Sequence, residues 1–237
     1  MKKLDAKITT NAFCSFAPRL VCFDLDGTVM LRPNSLQYLC ALNHAPVDAL
    51  LDIDRRQISG KVDWIGADYE RAALISGLRL SAVEENFDAH LETIGNLSHV
   101  LRTLESHDIV TVLISSGPVE VAQALSRRFS FDHCFGSLFT SEAGVYTGRI
   151  TRHLGSRGKM DCLMNVCEAE RLTLPDCAAV GDGLSDVDLF VHAGIAIGMN
   201  CSAEVTRFVQ HEINGGDLSP ILPLVLGRDL NEMAGII

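Results

Sequence analysis

Short apolar runs that stop abruptly at polar clusters recur along this chain, and the stretches between them carry apolar residues at helical spacing. Leu20 to Phe23 stops at Asp24. Ile109 to Ile114 stops at Ser115-Ser116-Gly117-Pro118, Ala178 to Val180 at Gly181-Asp182-Gly183, and Ile195 to Ile197 at Gly198. A run this short, apolar throughout rather than alternating, is the pattern of a strand buried on both faces. Leu97, Val100, Leu101 and Leu104 form a helical stripe behind a candidate Asn96 cap; Val121, Leu125 and Phe129 form another after Pro118, and Met160, Leu163, Met164 and Cys167 a third. Strands alternating with such helices predict an α/β fold, a doubly wound parallel sheet covered on both faces.

Two stretches depart from that alternation. Between about Pro33 and Gly95 the strand-like runs vanish and helical signals follow one another: Leu36/Leu39/Cys40, Leu50/Leu51, Trp64 onward, and Ser81-Ala82-Val83-Glu84 as a capping box. We read residues 34–94 as a small α-helical domain inserted into a core made of 1–33 and 95–237. The length agrees, since 237 residues exceed the roughly 100–150 of one usual domain. Leu138 to Ile150, with Gly144 and Gly148 among Val, Tyr and Ile, reads as a hairpin, and a polar arm precedes the first strand.

Composition narrows the picture. An apolar share of 47% excludes disorder over most of the chain, and no apolar stretch reaches signal-peptide or membrane-spanning length, so no membrane partner is expected. The eight Cys (14, 22, 40, 134, 162, 167, 177, 201) make no C-x-x-C pair and several sit in apolar runs, which predicts buried thiols and a cytoplasmic location rather than a disulfide framework or zinc site. A formal charge of −10 repels polyphosphate backbones, which argues against a nucleic-acid partner. A small anionic ligand would need positive charge concentrated locally. A homodimer stays open.

In an open parallel sheet, ligands collect beyond the carboxyl ends of the strands. Three such ends are polar here: Asp24-Leu25-Asp26-Gly27-Thr28, Ser115-Ser116-Gly117, and Gly181-Asp182-Gly183-Leu184-Ser185-Asp186. Four carboxylates on one rim would repel unless a divalent cation neutralised them, and all-oxygen ligation suits Mg²⁺. Lys159 stands near the start of its helix, where the dipole disfavours a cation; an incoming phosphoryl group would explain its place. Taken singly, each residue has a plainer role: Asp24 or Asp26 in a turn, Asp182-Gly183 as a turn with Ser185 capping a helix, Lys159 as a solvated charge, Ser115 as strand-end polarity. A calcium EF-hand fits poorly, because Gly27 comes too early and the twelfth-position glutamate is missing.

Together, Asp24-x-Asp26-Gly27-Thr28, Ser115, Lys159 and Gly181-Asp182-Gly183-x-Ser185-Asp186 resemble the four ordered motifs of the haloacid dehalogenase superfamily. The resemblance implies a phosphatase acting on a small phosphate ester. Asp24 would be its nucleophile and Asp26 its acid and base; Ser115, Lys159 and the Ser116 N–H would grip the phosphoryl group. Mg²⁺ would lie on the Asp24 carboxylate, the Asp26 carbonyl, Asp182 and Asp186. The helical insertion after the first motif, with Trp64 two turns before Arg71, resembles the phosphoserine phosphatase branch, which implies that Arg71 clamps a substrate carboxylate. The plainer reading pairs an exposed Arg71 with Asp68. Gly216-Asp217-Leu218 and Ile221-Leu222 resemble that branch's closing segment, but Arg32-Pro33-Asn34 stands where it commonly places a glutamate, which leaves two alternatives: Asp63 or Asp68 substitutes, or the substrate lacks an amine.

Overall fold

The computed structural model describes residues 17–227; the N-terminal arm and Cys14 lie outside them. The chain runs through β1 (Leu20–Phe23), β2 (Met30–Arg32), α1 (Ser35–Leu42), α2 (Val47–Ile58), α3 (Trp64–Ala73), α4 (Ser81–His90) and β3 (Glu92–Thr93). It continues through α5 (Leu97–Glu105), β4 (Val110–Pro118), α6 (Val119–Phe129), β5 (His133–Glu142), β6 (Val145–Arg152), α7 (Ser156–Glu170), β7 (Cys177–Gly181), α8 (Val187–His192), β8 (Ile195–Met199) and β9 (His211–Ile213).

Every residue of β1 is buried because the strand is covered on both faces. Val21 and Phe23 point into a cluster with Leu97, Leu101 and Leu125, whereas Leu20 and Cys22 point the other way onto Met160, Leu163 and Val166 of α7. The sheet order is β6-β5-β4-β1-β7-β8-β9, parallel except for the antiparallel β5–β6 edge, as a doubly wound sheet requires. Phe23 sits level with Leu113 on one side and Val180 on the other. The chain leaves β1 toward β4 and leaves β7 toward β8, so the sheet opens between these two neighbours, the place where such folds bind ligands.

β2 and β3 pair antiparallel, Arg32 opposite Glu92, so the chain departs for α1–α4 and returns beside its own exit. Asn34 caps α1, its side chain accepting from Gln37 N at 2.8 Å while its own N–H reaches back to Gln37. Leu36 and Leu39 of α1, Ala72 of α3, Phe87 of α4 and Ile75 in the turn after α3 join the cluster that covers the Val21 and Phe23 face of the sheet.

Several local expectations need correction. The run from Ile109 does not stop at Ser115; β4 continues through Pro118 with a register shift between Ile114 and Pro118. Ser81 is not a cap but the first residue of α4, and Leu80, ahead of it, donates its N–H to Gly144 of the hairpin. Asn96 precedes α5 with φ 62° and spends its amide on Asp217, 3.0 Å away, rather than on the helix. Met164 is partly exposed, whereas Met160, Leu163 and Cys167 are buried. The hairpin is longer than predicted and turns at Ala143-Gly144, both at positive φ. The short strands β2, β3 and β9 carried too few residues to show a period.

Candidate active site

Asp24 follows the last residue of β1, and its N–H donates to the Val180 carbonyl of β7 at 2.8 Å, which fixes it at the sheet opening. Its carboxylate lies against Lys159 Nζ at 2.5 Å, and the same ammonium reaches Asp186 Oδ1 at 2.7 Å. Lys159 is wholly buried in the first turn of α7, so it is no solvated surface charge. Two carboxylates overcome the helix-dipole cost of that position. Oxygen atoms of Asp24, Asp182 and Asp186 all lie within 4.8 Å of one another.

Asp26 belongs to the same cleft but turns its carboxylate aside. It accepts from Ser35 N and Ser35 Oγ, each at 2.6 Å. Ser35 opens α1, so Asp26 also sits at a helix N-terminus, where a negative charge is favoured. Gly27 has φ +83°, and a Cβ there would collide with the Asp182 carboxylate, so only glycine lets the first and third strand ends approach. Gly117 is similarly confined, because a Cβ would strike Ser35 Oγ. Ser115 is fully buried, its Oγ accepting from Gly117 N at 2.9 Å, and Ser116 Oγ donates to the Leu154 carbonyl at 2.6 Å.

The cleft encloses about 360 Å³ between these strand ends and the helices α1 to α3. Asp24, Asp26, Ser116 and Asp182 line its floor, and Leu36, Gln57, Trp64, Asp68 and Arg71 its opposite wall. Arg71 is buried rather than exposed. Its Nη2 donates to Asp54 and Gln57 at 2.7 and 2.6 Å, and its Nη1 to Asp68 at 3.2 Å. Asp63 is turned away to cap α3, accepting from Gly66 N at 2.7 Å.

Burial dominates the electrostatics of the floor. It lifts Asp26 to about 6 although both Ser35 hydrogen bonds pull the other way, and it lifts Asp186 to about 6, aided by Asp24 and opposed by Lys159. Burial, then Asp24 and Asp186, push Asp182 up to about 9. Asp24 is also raised, by burial against the pull of Lys159. For Lys159, burial alone would lower the value, but Asp186 and Asp24 outweigh it and hold the ammonium above the ordinary lysine range.

The family model for haloacid dehalogenase-like hydrolases matches residues 21–190, well over half of the chain. The chain belongs to that family. The phosphoserine phosphatase of Halobacterium salinarum is 29% identical to this hydrolase over 214 residues, covering 90% of the chain and 97% of that protein. That of Streptomyces coelicolor is 26% identical over 223 residues, 94% of this chain but 54% of that protein, so the hydrolase spans about half of that relative's length. Among solved structures, a substrate-bound phosphoserine phosphatase complex matches with TM-score 0.77 at 20% identity, over 88% of this chain and 98% of that one. A phospho-aspartyl intermediate analogue of phosphoserine phosphatase matches with TM-score 0.76 at 20% identity, over 88% and 99%. Both share the fold.

The carboxylate set of this hydrolase fits a hard divalent cation. Asp24, Asp182 and Asp186 offer only oxygen, converge within one ion's reach, and are all pushed toward their neutral forms by burial, a push that a cation among them would oppose. The sequence reading brought Asp24, Asp26, Ser115, Ser116, Lys159, Asp182, Asp186 and Arg71 to one cleft, and the structure places them around it. It missed Ser35, the partner of Asp26. A signal for Ser35 existed, since Asn34-Ser35 after Pro33 reads as a helix start just beyond the first motif.

Proposed function

We propose that this hydrolase is a Mg²⁺-dependent phosphomonoester hydrolase acting through a phosphorylated Asp24 on a small phosphometabolite, in the manner of the phosphoserine phosphatases. The reading rests on one observation above others: a fully buried Lys159 held between Asp24 and Asp186, beside a second carboxyl, Asp26, poised at about 6. In the first step an Asp24 oxygen attacks phosphorus, the ester P–O bond breaks, and Asp26 gives its proton to the departing alkoxide. In the second, Asp26 takes a proton from water as that water attacks the aspartyl-phosphate, releasing orthophosphate and free Asp24. Ser115, the Ser116 N–H and Lys159 hold the phosphoryl oxygens. Asp24, the Asp26 carbonyl, Asp182 and Asp186 would hold Mg²⁺, which neutralises the anionic ester and the carboxylates around it.

Residues 34–94 act in this reading as a cap that closes the cleft, with Arg71 facing the substrate's far end. Arg71 would receive a substrate carboxylate by exchanging one of its present partners, Asp54 or Asp68. A second reading, another phosphometabolite without an amine, draws support from Pro33 and from the engagement of Asp63 and Asp68 elsewhere. Phosphate release from O-phospho-L-serine, sugar phosphates and choline phosphate in Mg²⁺ separates the two; fastest release from O-phospho-L-serine supports the first. The free thiols among the described residues suit a reducing compartment such as the cytoplasm. No helix among those residues is long and apolar enough to cross a membrane.

Ser35→Ala removes one of the two donors that hold Asp26 down. A hydrogen bond to a charged group is worth roughly 1.5–3 kcal/mol, so the pH optimum of phosphate release is expected to move alkaline by roughly one to two units. An unmoved pH profile would remove Ser35 from this role.

Stability should report the same carboxylates. Because Asp26, Asp186 and Asp182 titrate in the fold at about 6, 6 and 9, above their ordinary values, the stability they contribute is present in acid and is lost as pH rises through those values. In EDTA, the Tm is expected to fall between about pH 5 and about pH 9, and added Mg²⁺ should raise it more at the alkaline end. A Tm in EDTA that climbs across this range would contradict the electrostatics above.

A further inference from the structure

Two residues with largely buried side chains, Asp68 and His153, take no part in phosphoryl transfer as written above. Asp68, midway along α3, lines the cleft and divides its carboxylate: Oδ1 accepts from Arg71 and Oδ2 meets His153 Nε2 at 3.0 Å. His153 comes from a different part of the chain, just after β6, and its side chain is 6% exposed. Its ring lies 5.3 Å from Trp64 and is stacked 5.9 Å from Tyr69, so α3 surrounds it on both sides. Among the described residues Nδ1 is buried without a partner, so the contact with Asp68 is the ring's one hydrogen bond there, and a carboxylate acceptor puts the shared proton on Nε2.

The neighbour of His153 is tied to the phosphate-binding loop. Ser116 Oγ donates to the Leu154 carbonyl at 2.6 Å, and Ser137 Oγ accepts the Leu154 N–H at 2.8 Å while donating to the Ser116 carbonyl at 2.6 Å. A continuous chain of bonds thus runs from Ser116 through Leu154, His153 and Asp68 to Arg71. It joins the floor that would grip phosphate to the wall that would face the rest of the substrate.

We infer that His153 and Asp68 form a positioning clasp that sets the distance between the Ser116 loop and the Arg71 wall, and so determines affinity for the substrate's organic part without acting at phosphorus. The inference rests on the phosphatase reading of the cleft. Asp68 holds the Nη1 edge of Arg71, whose Nη2 is held by Asp54 and Gln57. Losing the His153 donor leaves a largely buried carboxylate short of one partner and frees α3 to shift against the core.

The test uses the full chain in Mg²⁺, with whichever of O-phospho-L-serine and p-nitrophenyl phosphate the parent hydrolyses faster, and orthophosphate as a competitive inhibitor that probes the floor alone. His153→Phe keeps an aromatic ring between Trp64 and Tyr69 but cannot donate. Its KM is expected to rise about tenfold, with kcat within about threefold and the orthophosphate inhibition constant within about twofold of the parent. His153→Gln, which restores a donor, should recover most of the KM. Asp68→Asn offers an independent route if the Phe variant folds poorly: it should raise KM similarly, and the double variant should be no worse than either single one. An unchanged KM in His153→Phe, an equal loss in kcat and phosphate inhibition, or additive losses in the double variant would overturn the clasp. Failure of the parent to release phosphate in an Asp24-dependent way would instead sink the phosphatase reading and the clasp with it.

Discussion

Asp24→Asn should lower phosphate release by at least about 10,000-fold, as removal of a covalent nucleophile does elsewhere, with the fold intact by circular dichroism. An amide nitrogen or oxygen cannot form the mixed anhydride, and two neighbouring carboxylates are held by other partners, Asp26 by Ser35 and Asp186 by Lys159. Water attacking the ester directly would keep only the share of catalysis that Lys159, Ser115 and the Ser116 N–H supply. Acid-quenched parent enzyme should carry a phosphoryl group on the peptide containing Asp24, found by mass spectrometry, and the variant should not. A variant as active as the parent would remove Asp24 from the chemistry and favour a non-catalytic binding role for the fold instead.

What could be read from the sequence was whatever local physics fixes. β1, β7 and the stripes of α5 and α7 announce themselves because burial on one or both faces constrains each position, and the motif residues follow because they end those strands. Lys159 was legible for a different reason, since a lysine in a helix's first turn conflicts with the dipole and so asks for a nearby anion. His153 was not legible. It meets Asp68 across 85 residues, and neither the hairpin nor α3 carries a local trace of the other. The false capping box at Ser81 arose in the same way, because Leu80 finds its partner in Gly144, on a hairpin far along the chain.

Lys159→Met is expected to damage both stability and activity, with a pH dependence that separates the two. Methionine fills much of the same volume but leaves Asp24 and Asp186 buried without their shared cation, and removing one partner from a buried charge cluster costs about 3–5 kcal/mol when the remaining groups are ionised. Lys159 now lowers the values of both carboxyls, so its loss raises them further. The variant's penalty is therefore small in acid, where Asp24 and Asp186 are protonated, and grows as pH rises through their values in the fold. Tm measured in EDTA should show a gap between parent and variant that widens from about pH 5 to about pH 8, and Mg²⁺ should recover part of it by taking up the charge that the ammonium balanced. Activity should fall about 100- to 1,000-fold at saturating Mg²⁺, the usual loss when one donor to a developing oxyanion is removed. A gap constant across pH would mean that Lys159 acts by packing alone, and a variant that keeps full turnover would take the ammonium out of the phosphoryl grip.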